Sequence, residues 1–282
     1  MISMQPIANR KQSPYQNPLD VTVRVGAVSY LNSKPLVHGL AHTMGPQGRL
    51  SLAVPSKLAT ELAAGAIDIG LVPVVDYFRH PEFRIVSNAV IACCGPVWSV
   101  RLLFRVPPEQ VKTIAMDEGS HTSVALTKVL YQERFGFVPT SIRLPMDSDP
   151  REVDADAVLV IGDRSMHPTE FRPHFASDWD LGQSWFEDTG LPFVFAMWVA
   201  RDSRFATVKY SEMLADARDA GIRNIAQIAE RDASMYRLSA RECEDYLTNY
   251  IRFYLGEQEQ AGLAEFRRRC TLLNLVPPQS LE

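Results

Sequence analysis

Several apolar stretches of this chain end in small polar residues that could bind an anion without carrying charge themselves. In the first such turn, residues 29–33 (SYLNS), polar side chains follow the apolar residues 21–27. Asn32 or Ser33 is predicted to cap the helix that follows. Free N–H groups, hydroxyls and an amide in one turn favour a bound anion. The same residues also fit a capped turn that holds no ligand, so this turn alone leaves the choice open.

A second turn, residues 117–123 (DEGSHTS), precedes an amphipathic helical pattern over 120–135. Ser120 or Thr122 could cap that helix. The free N–H groups of its first turn would then hold a carboxylate together with the hydroxyls. For this turn alone, plain capping is the simpler interpretation. His121 reads as a surface or hydrogen-bonding histidine, because the sequence assigns it no acidic partner.

The remaining polar turns also follow predicted strands, and they comprise residues 71–73, 95–99 and 161–163. Ser99 has no evident His–Asp pair to activate it, so we assign it hydrogen bonding or proton relay rather than nucleophilic attack. Asn32 can donate and accept without titrating, which suits the orientation of a carboxylate or a departing hydroxyl. We expect both to end strands of one lobe and to converge. The alternative for Ser99 is a buried hinge serine bonded to backbone.

The elements that must position these turns alternate between apolar strands and helical patterns. From residue 21 to 79 the order is βαβαβα, which predicts a parallel sheet with right-handed crossovers. The series restarts after Pro107, and residues 207–273 read almost entirely as helix. We therefore predict an α/β protein with two lobes, a ligand cleft between them and a helical C-terminal part.

The predicted limits of the lobes follow from where the αβ series restarts. The first lobe is predicted to combine residues 21–102 with 201–282, and the second to span 103–200. Strands near 98–106 and 193–200 are expected to cross between the lobes. Residues 1–20 are polar and are predicted to form a disordered leader rather than a secretory signal.

Composition excludes several classes of protein. The 282 residues carry 29 basic and 33 acidic side chains, a net charge of −4 that argues neither for nucleic acid nor for an anionic membrane surface. No apolar run approaches the roughly 20 residues that span a bilayer. The four cysteines lack metal or disulfide spacing and fit a reducing cytoplasm. Phosphate-loop, dinucleotide, nucleophile-elbow and zinc-helix motifs are absent, so no cofactor and no metal are predicted.

These turns together resemble the motif set of the chorismate dehydratases, over about residues 22–275. The stretches that carry the resemblance are VSYLNSKPL (28–36), GLVPV (70–74), GPVWSV (95–100), SHTSVAL (120–126), IGD (161–163) and TGLPFVFAMWVAR (189–201). The resemblance implies a cytoplasmic lyase with a periplasmic-binding-protein-like (type II) fold and no cofactor, which opens the futalosine route to menaquinone. A homodimer is compatible with the sequence.

The chemistry that the resemblance implies is dehydration of chorismate to 3-[(1-carboxyvinyl)oxy]benzoate. The substrate's own enolpyruvyl carboxylate is the suspected base in that family, with an Asn and a Ser beside it that correspond to Asn32 and Ser99. The enzyme then mainly holds and orients a dianion. The residues predicted to bind the substrate lie in the polar turns and are Ser29, Tyr30, Ser120, His121, Thr122, Ser123 and Asp163.

Two other functions remain alternatives. The sister enzyme 1,4-dihydroxy-6-naphthoate synthase shares the fold but opens on a Ser-Pro-Cys-Pro-Asn-Asp type of turn, unlike residues 29–32 here. A non-catalytic protein that binds a small anion is the other alternative, and the missing secretory signal counts against it. One departure from the family is His121, where an Arg is expected, so an obligatory cation at that position is not supported.

Overall fold

The computed structural model describes residues 22–46, 48–171 and 173–278. The predicted leader, residues 1–20, lies outside these ranges. The strands are β1 (Arg24–Val28), β2 (Arg49–Ala53), β3 (Ile69–Pro73), β4 (Arg84–Cys93), β5 (Val100–Phe104), β6 (Thr113–Asp117), β7 (Thr140–Leu144), β8 (Ala157–Ile161), β9 (Ser177–Asp180), β10 (Phe193–Ala200) and β11 (Arg252–Tyr254).

Ten α-helices occur within the described ranges, besides shorter 3-10 segments. They are α1 (Leu40–Met44), α2 (Pro55–Ala63), α3 (Val74–Arg79), α4 (His121–Phe135), α5 (Pro168–Phe171), α6 (Leu181–Thr189), α7 (Val208–Arg223), α8 (Ile225–Asp232), α9 (Ala240–Asp245) and α10 (Glu257–Leu272). None of the helices in this part of the chain is long and apolar enough to cross a membrane.

The first sheet has the strand order β11-β4-β10-β3-β1-β2. Here β1 runs parallel to β2 and β3, as the alternating pattern predicts, while β10 is antiparallel to β3 and β4. All residues of β3 and β10 are buried. Strands covered on both faces are apolar throughout rather than alternating, which explains the continuous apolar run at 193–200.

The second sheet has the order β7-β6-β8-β5-β9. Its β6 runs parallel to β7 and β8, and β5 is antiparallel to β8 and β9. The helix α4 leaves the end of β6, which lies beside β8 near the centre of this sheet. The carboxyl ends of β6 and β8 therefore present residues 118–123 and 162–163 at one edge, the usual position of a ligand site in an α/β sheet.

The prediction that strands near 98–106 and 193–200 cross between the lobes is wrong. Within the described residues, β5 pairs only inside the second sheet, and β10 only inside the first. The chain passes between the sheets in the loop between β4 and β5 and again through α6. Because β10 is buried between β3 and β4, residues 193–200 group with the first sheet and not, as predicted, with the second lobe.

The C-terminal part returns to the first sheet, since β11 pairs with β4. A Cβ at Gly221 of α7 would lie 2.0 Å from the Pro35 carbonyl oxygen. Only glycine allows this approach, which brings α7 against the 3-10 helix Pro35–Val37, the segment that follows Leu31–Ser33. The C-terminal helices therefore support the turn that carries Asn32.

Candidate active site

A cavity lies between the two sheets, and most of the predicted polar turns meet there. Its walls are mainly apolar with a few polar groups, as is usual for a small-molecule site. The lining residues are Val28, Tyr30, Asn32, Pro55, Pro73, Ile91, Val97, Ser99, Val100, Ser120, Ser123, Ile161, Gly162, Phe195 and Ala196. Five of the predicted site residues are in this set.

The turn after β1 brings Asn32 to the cavity. It folds as a 3-10 helix that begins at Leu31, and neither Asn32 nor Ser33 caps it as predicted. Instead the Ser33 hydroxyl lies 2.9 Å from the Tyr30 carbonyl oxygen and is also bonded to Val28. The Asn32 Oδ1 atom is buried and has no hydrogen-bond partner among the described residues. Buried acceptors are rarely left without a partner, so this atom is available to a ligand.

Ser99 reaches the cavity through a strained turn. The Trp98 φ angle is 63°, and the Ser99 N–H donates to the Val97 carbonyl at 2.7 Å. A three-residue turn with a positive φ is rare and costs on the order of 1–3 kcal/mol for a residue other than glycine. The surrounding contacts must therefore hold this backbone in place.

The carboxylate of Asp180 supplies part of that support. It accepts from the N–H groups of Val97 at 3.0 Å and Trp98 at 2.7 Å. The same carboxylate caps α6 by accepting from Gly182 and Gln183. Burial raises the pKa of Asp180, and these N–H donors oppose the shift. One side chain thus ties the Ser99 turn to the start of α6.

The N-terminus of α4 forms the opposite wall. Ser120 caps it, as predicted, by accepting from the Ser123 N–H at 3.3 Å, and the two hydroxyls are 3.1 Å apart. The backbone N–H groups of His121 and Thr122 have no acceptor within the ranges that the structure describes. Free N–H groups at the positive end of a 15-residue helix favour a negatively charged ligand.

The side chains of His121 and Thr122 do not line the cavity but join the two lobes at its edge. The Thr122 hydroxyl is fully buried and accepts from the Val75 N–H at 3.4 Å. His121 Nδ1 lies 2.9 Å from both carboxylate oxygens of Asp76. The acidic partner that the sequence could not assign to His121 therefore comes from α3, 45 positions away.

Asp163 and Ser29 are likewise outside the lining set. The Asp163 carboxylate accepts from the Leu31 N–H at 3.1 Å and so links the second lobe to the turn of Asn32. Burial raises the pKa of Asp163 to about 6, while the Leu31 N–H and the Lys34 charge oppose the shift. The Ser29 backbone N–H donates to Ala53 at 3.0 Å. Direct substrate binding by these residues stays a prediction.

The raised pKa of Asp163 gives a prediction for stability. Between about pH 4, the usual range of an unfolded Asp, and pH 6, Asp163 is more protonated in the folded protein than in the unfolded chain. The contribution of Asp163 to stability therefore falls as the pH rises through this window. Asp163→Asn removes the titration and should raise the free energy of unfolding by about 1–3 kcal/mol at pH 7.5. Urea unfolding at pH 4 and 7.5 measures this.

The matched control for that prediction is Asp216→Asn, which changes an exposed carboxylate on α7. Its effect on the free energy of unfolding should be small, because the side chain is exposed. If Asp163→Asn instead lowers stability at pH 7.5, the ionised carboxylate is favourable where it lies, and the predicted sign is wrong.

The phenol of Tyr246 is a site feature that the sequence analysis missed. It begins a π-helical segment, Tyr246–Tyr250, and is fully buried behind Ser99. Its hydroxyl donates to the Ser99 Oγ atom at 2.8 Å. Nothing in the local sequence marks it, because an aromatic residue in a helical stretch reads as core. Irregular π-helical turns do often occur at functional sites, but this one becomes visible only in the structure.

The two-lobed fold is shared with solved structures. The Candida albicans CA3427 gene product, described as having the generic periplasmic binding protein fold, aligns with a TM-score of 0.59 over 92% of each chain, at 12% identity. The two sheets with a cavity between them make this chain a periplasmic-binding-protein-like α/β protein, as predicted.

Sequence comparison identifies the family. The model of the menaquinone biosynthesis family matches residues 23–271. The chorismate dehydratase of Thermus thermophilus is 30% identical over 261 residues, which cover 86% of this chain and 93% of that protein. The chorismate dehydratase of Campylobacter jejuni is 26% identical over 89% of this chain and 99% of its own length. The chain belongs to the menaquinone biosynthesis family, so the resemblance found in the sequence is confirmed.

Proposed function

We propose that this protein is a chorismate dehydratase, a lyase that converts chorismate to 3-[(1-carboxyvinyl)oxy]benzoate. The observation that carries the proposal is the meeting of three groups in one cavity: Asn32, Ser99 and the free N-terminus of α4. The alignments cover nearly the whole length of the two relatives that bear this name. This coverage supports the same reaction for this chain.

The reaction needs little acid or base strength from the protein. The C–H bond at the ring carbon that bears the enolpyruvyl ether breaks, and its electron pair forms a ring double bond. The bond to the neighbouring hydroxyl breaks, and that group leaves with a proton as water. Because the product ring is aromatic, the elimination is downhill. The protein's contribution is then orientation and stabilisation of developing charge.

Asn32 and Ser99 are proposed to act on the enolpyruvyl side of the substrate. The family resemblance assigns the proton abstraction to the substrate's own enolpyruvyl carboxylate. The Asn32 amide can hold that carboxylate by donation, and its free Oδ1 atom can accept from the departing hydroxyl. The Ser99 hydroxyl can donate to an oxygen that gains charge. Neither group has to change its own protonation state.

The ring carboxylate is proposed to bind at the N-terminus of α4. The groups available there are the backbone N–H groups of His121 and Thr122 and the hydroxyl proton of Ser120, whose oxygen accepts from the Ser123 hydroxyl. Such a site holds a carboxylate without a cationic side chain, which fits a family member that has His121 where an Arg is expected. The side chains of His121, Thr122 and Asp163 would then act by holding the lobes together.

We also propose that the enzyme works in the cytoplasm and in the futalosine route. The four cysteines, Cys93, Cys94, Cys243 and Cys270, are all free thiols. Free and mostly buried thiols are usual in a reducing compartment. The assignment to the futalosine route rests on the family resemblance.

Incubation of the purified protein with chorismate tests the proposed function. A dehydratase should remove the diene absorbance and form an aromatic product lighter by one water, seen by mass spectrometry. A non-catalytic anion-binding protein would bind chorismate in calorimetry without turnover. The naphthoate synthase would leave chorismate unchanged and bind it weakly. Either of the last two results would overturn the proposal.

A further inference from the structure

The buried hydroxyl of Tyr246 has one hydrogen-bond acceptor in the part of the chain that the structure describes. Its side chain is fully buried and does not line the cavity, and in the described residues its only hydrogen-bond partner is Ser99 Oγ at 2.8 Å. A buried donor left without an acceptor would destabilise the folded protein by on the order of 1–3 kcal/mol. The Tyr246 hydroxyl therefore donates, and Ser99 accepts.

This direction decides what Ser99 can do in the cavity. A serine hydroxyl has one proton and two acceptor lone pairs. With a lone pair engaged by Tyr246, the Ser99 proton is left to point at the cavity that Ser99 lines. The chain of donors then runs from Tyr246 to Ser99 to the ligand, and each hydrogen bond in such a chain strengthens the next.

The surroundings keep Tyr246 a donor and keep its ring in place. Burial raises the pKa of the Tyr246 phenol well above its usual value, so it stays protonated. The Asn32 side chain lies near the same hydroxyl and, like Ser99, opposes that shift, without forming a hydrogen bond of normal geometry. The ring packs edge-on against Trp98, with centroids 5.6 Å apart. The Tyr246 side chain thus holds both Trp98, through its ring, and the Ser99 hydroxyl, through its own hydroxyl.

We propose that Tyr246 is a positioning residue for the dehydration, acting through Ser99. Its hydroxyl fixes the Ser99 side chain in the rotamer that aims the Ser99 proton at the substrate, and its ring holds the strained turn at Trp98. The inference rests on the proposed function. Tyr246 does not touch the substrate and does not transfer a proton itself.

A double-mutant cycle tests this role. Tyr246→Phe keeps the ring and removes only the hydroxyl, so kcat with chorismate should fall about tenfold, the worth of one buried hydrogen bond, while KM changes little. In the Ser99→Ala background, the same change should lower the residual kcat by less than twofold, because residues that act as one unit are not additive. Thermal unfolding of each variant is measured in parallel.

Tyr236→Phe is the matched control. It removes another buried phenol in the C-terminal part, whose hydroxyl has no hydrogen-bond partner in the described residues and lies outside the cavity. It should leave kcat unchanged. Equal losses from Tyr246→Phe in both backgrounds, or a normal kcat with only a lower melting temperature, would overturn the positioning role while the proposed function stands. A wild-type protein that does not turn over chorismate would overturn both.

Discussion

Ser99→Ala should lower the turnover of chorismate about 10²-fold or more, as the removal of one donor to a developing negative charge does in other enzymes. Ser99 lines the cavity, and its oxygen is held from behind by Tyr246 at 2.8 Å. The substitution removes the last donor of that chain and leaves the buried Tyr246 hydroxyl without its acceptor. Stability should therefore fall by about 1–3 kcal/mol while the fold is retained.

Turnover, chorismate binding and urea unfolding of the Ser99→Ala protein separate its two effects. Ser87→Ala is the control, because Ser87 is another buried serine of the first lobe, and its oxygen accepts from the Ala89 N–H at 3.2 Å outside the cavity. It should lose similar stability and keep normal turnover. If Ser99→Ala also keeps near-normal turnover, Ser99 is a hinge residue bonded to its surroundings, and Asn32 is left as the catalytic candidate of the first lobe.

The parts of the site that could be predicted are those with a local sequence signal. A small polar turn after an apolar strand marks Asn32, and Ser120 follows the strand β6 at the capping position of α4. The carboxyl ends of parallel strands lie at one edge of a sheet, which is why Asn32, after β1, and Ser99, in the loop between β4 and β5, were expected to converge. Both line the same cavity, although what they do there stays a prediction.

The contacts that complete the site could not be predicted, because each joins residues far apart in the chain. Tyr246 and Ser99 are separated by 147 positions, and Asp180 and Val97 by 83. The sequence around a residue in a helical stretch or at a strand end fits plain packing or capping as well as it fits a role in the site. Only the packing of the C-terminal part on the first sheet brings Tyr246 behind Ser99.

The two errors in the lobe arrangement, residues 100–102 assigned to the first lobe and 193–200 to the second, have a similar cause. The apolar run at 193–200 is correctly recognised as a strand, but a strand buried on both faces carries no pattern that tells which sheet it enters. Sequence order favoured a crossing between lobes. The pairing with β3 and β4 depends on long-range contacts, and these contacts bring Phe195 and Ala196 to the cavity wall.

Asn32→Leu should lower chorismate turnover at least about 10²-fold, because the amide is proposed to orient the reacting groups and leucine, which is branched at the same position but larger, cannot hydrogen-bond. The free protein should be at least as stable as wild type. The Oδ1 atom of Asn32 is buried without a partner in the described residues, and replacing such an atom by an apolar group removes a desolvation cost of about 1–3 kcal/mol. Kinetics with chorismate and urea unfolding measure the two quantities.

Asn88→Leu is the reciprocal control. Asn88 is exposed and does not line the cavity, and its Oδ1 atom accepts from the buried Arg218 at 2.6 Å, so this variant should lose stability and keep turnover. The two substitutions should therefore give opposite results. Asn32→Leu should lower turnover and not stability, and Asn88→Leu should lower stability and not turnover. An Asn32→Leu protein that is destabilised yet turns over chorismate normally would assign Asn32 to the support of its 3-10 turn, and the Oδ1 atom would then not be reserved for substrate.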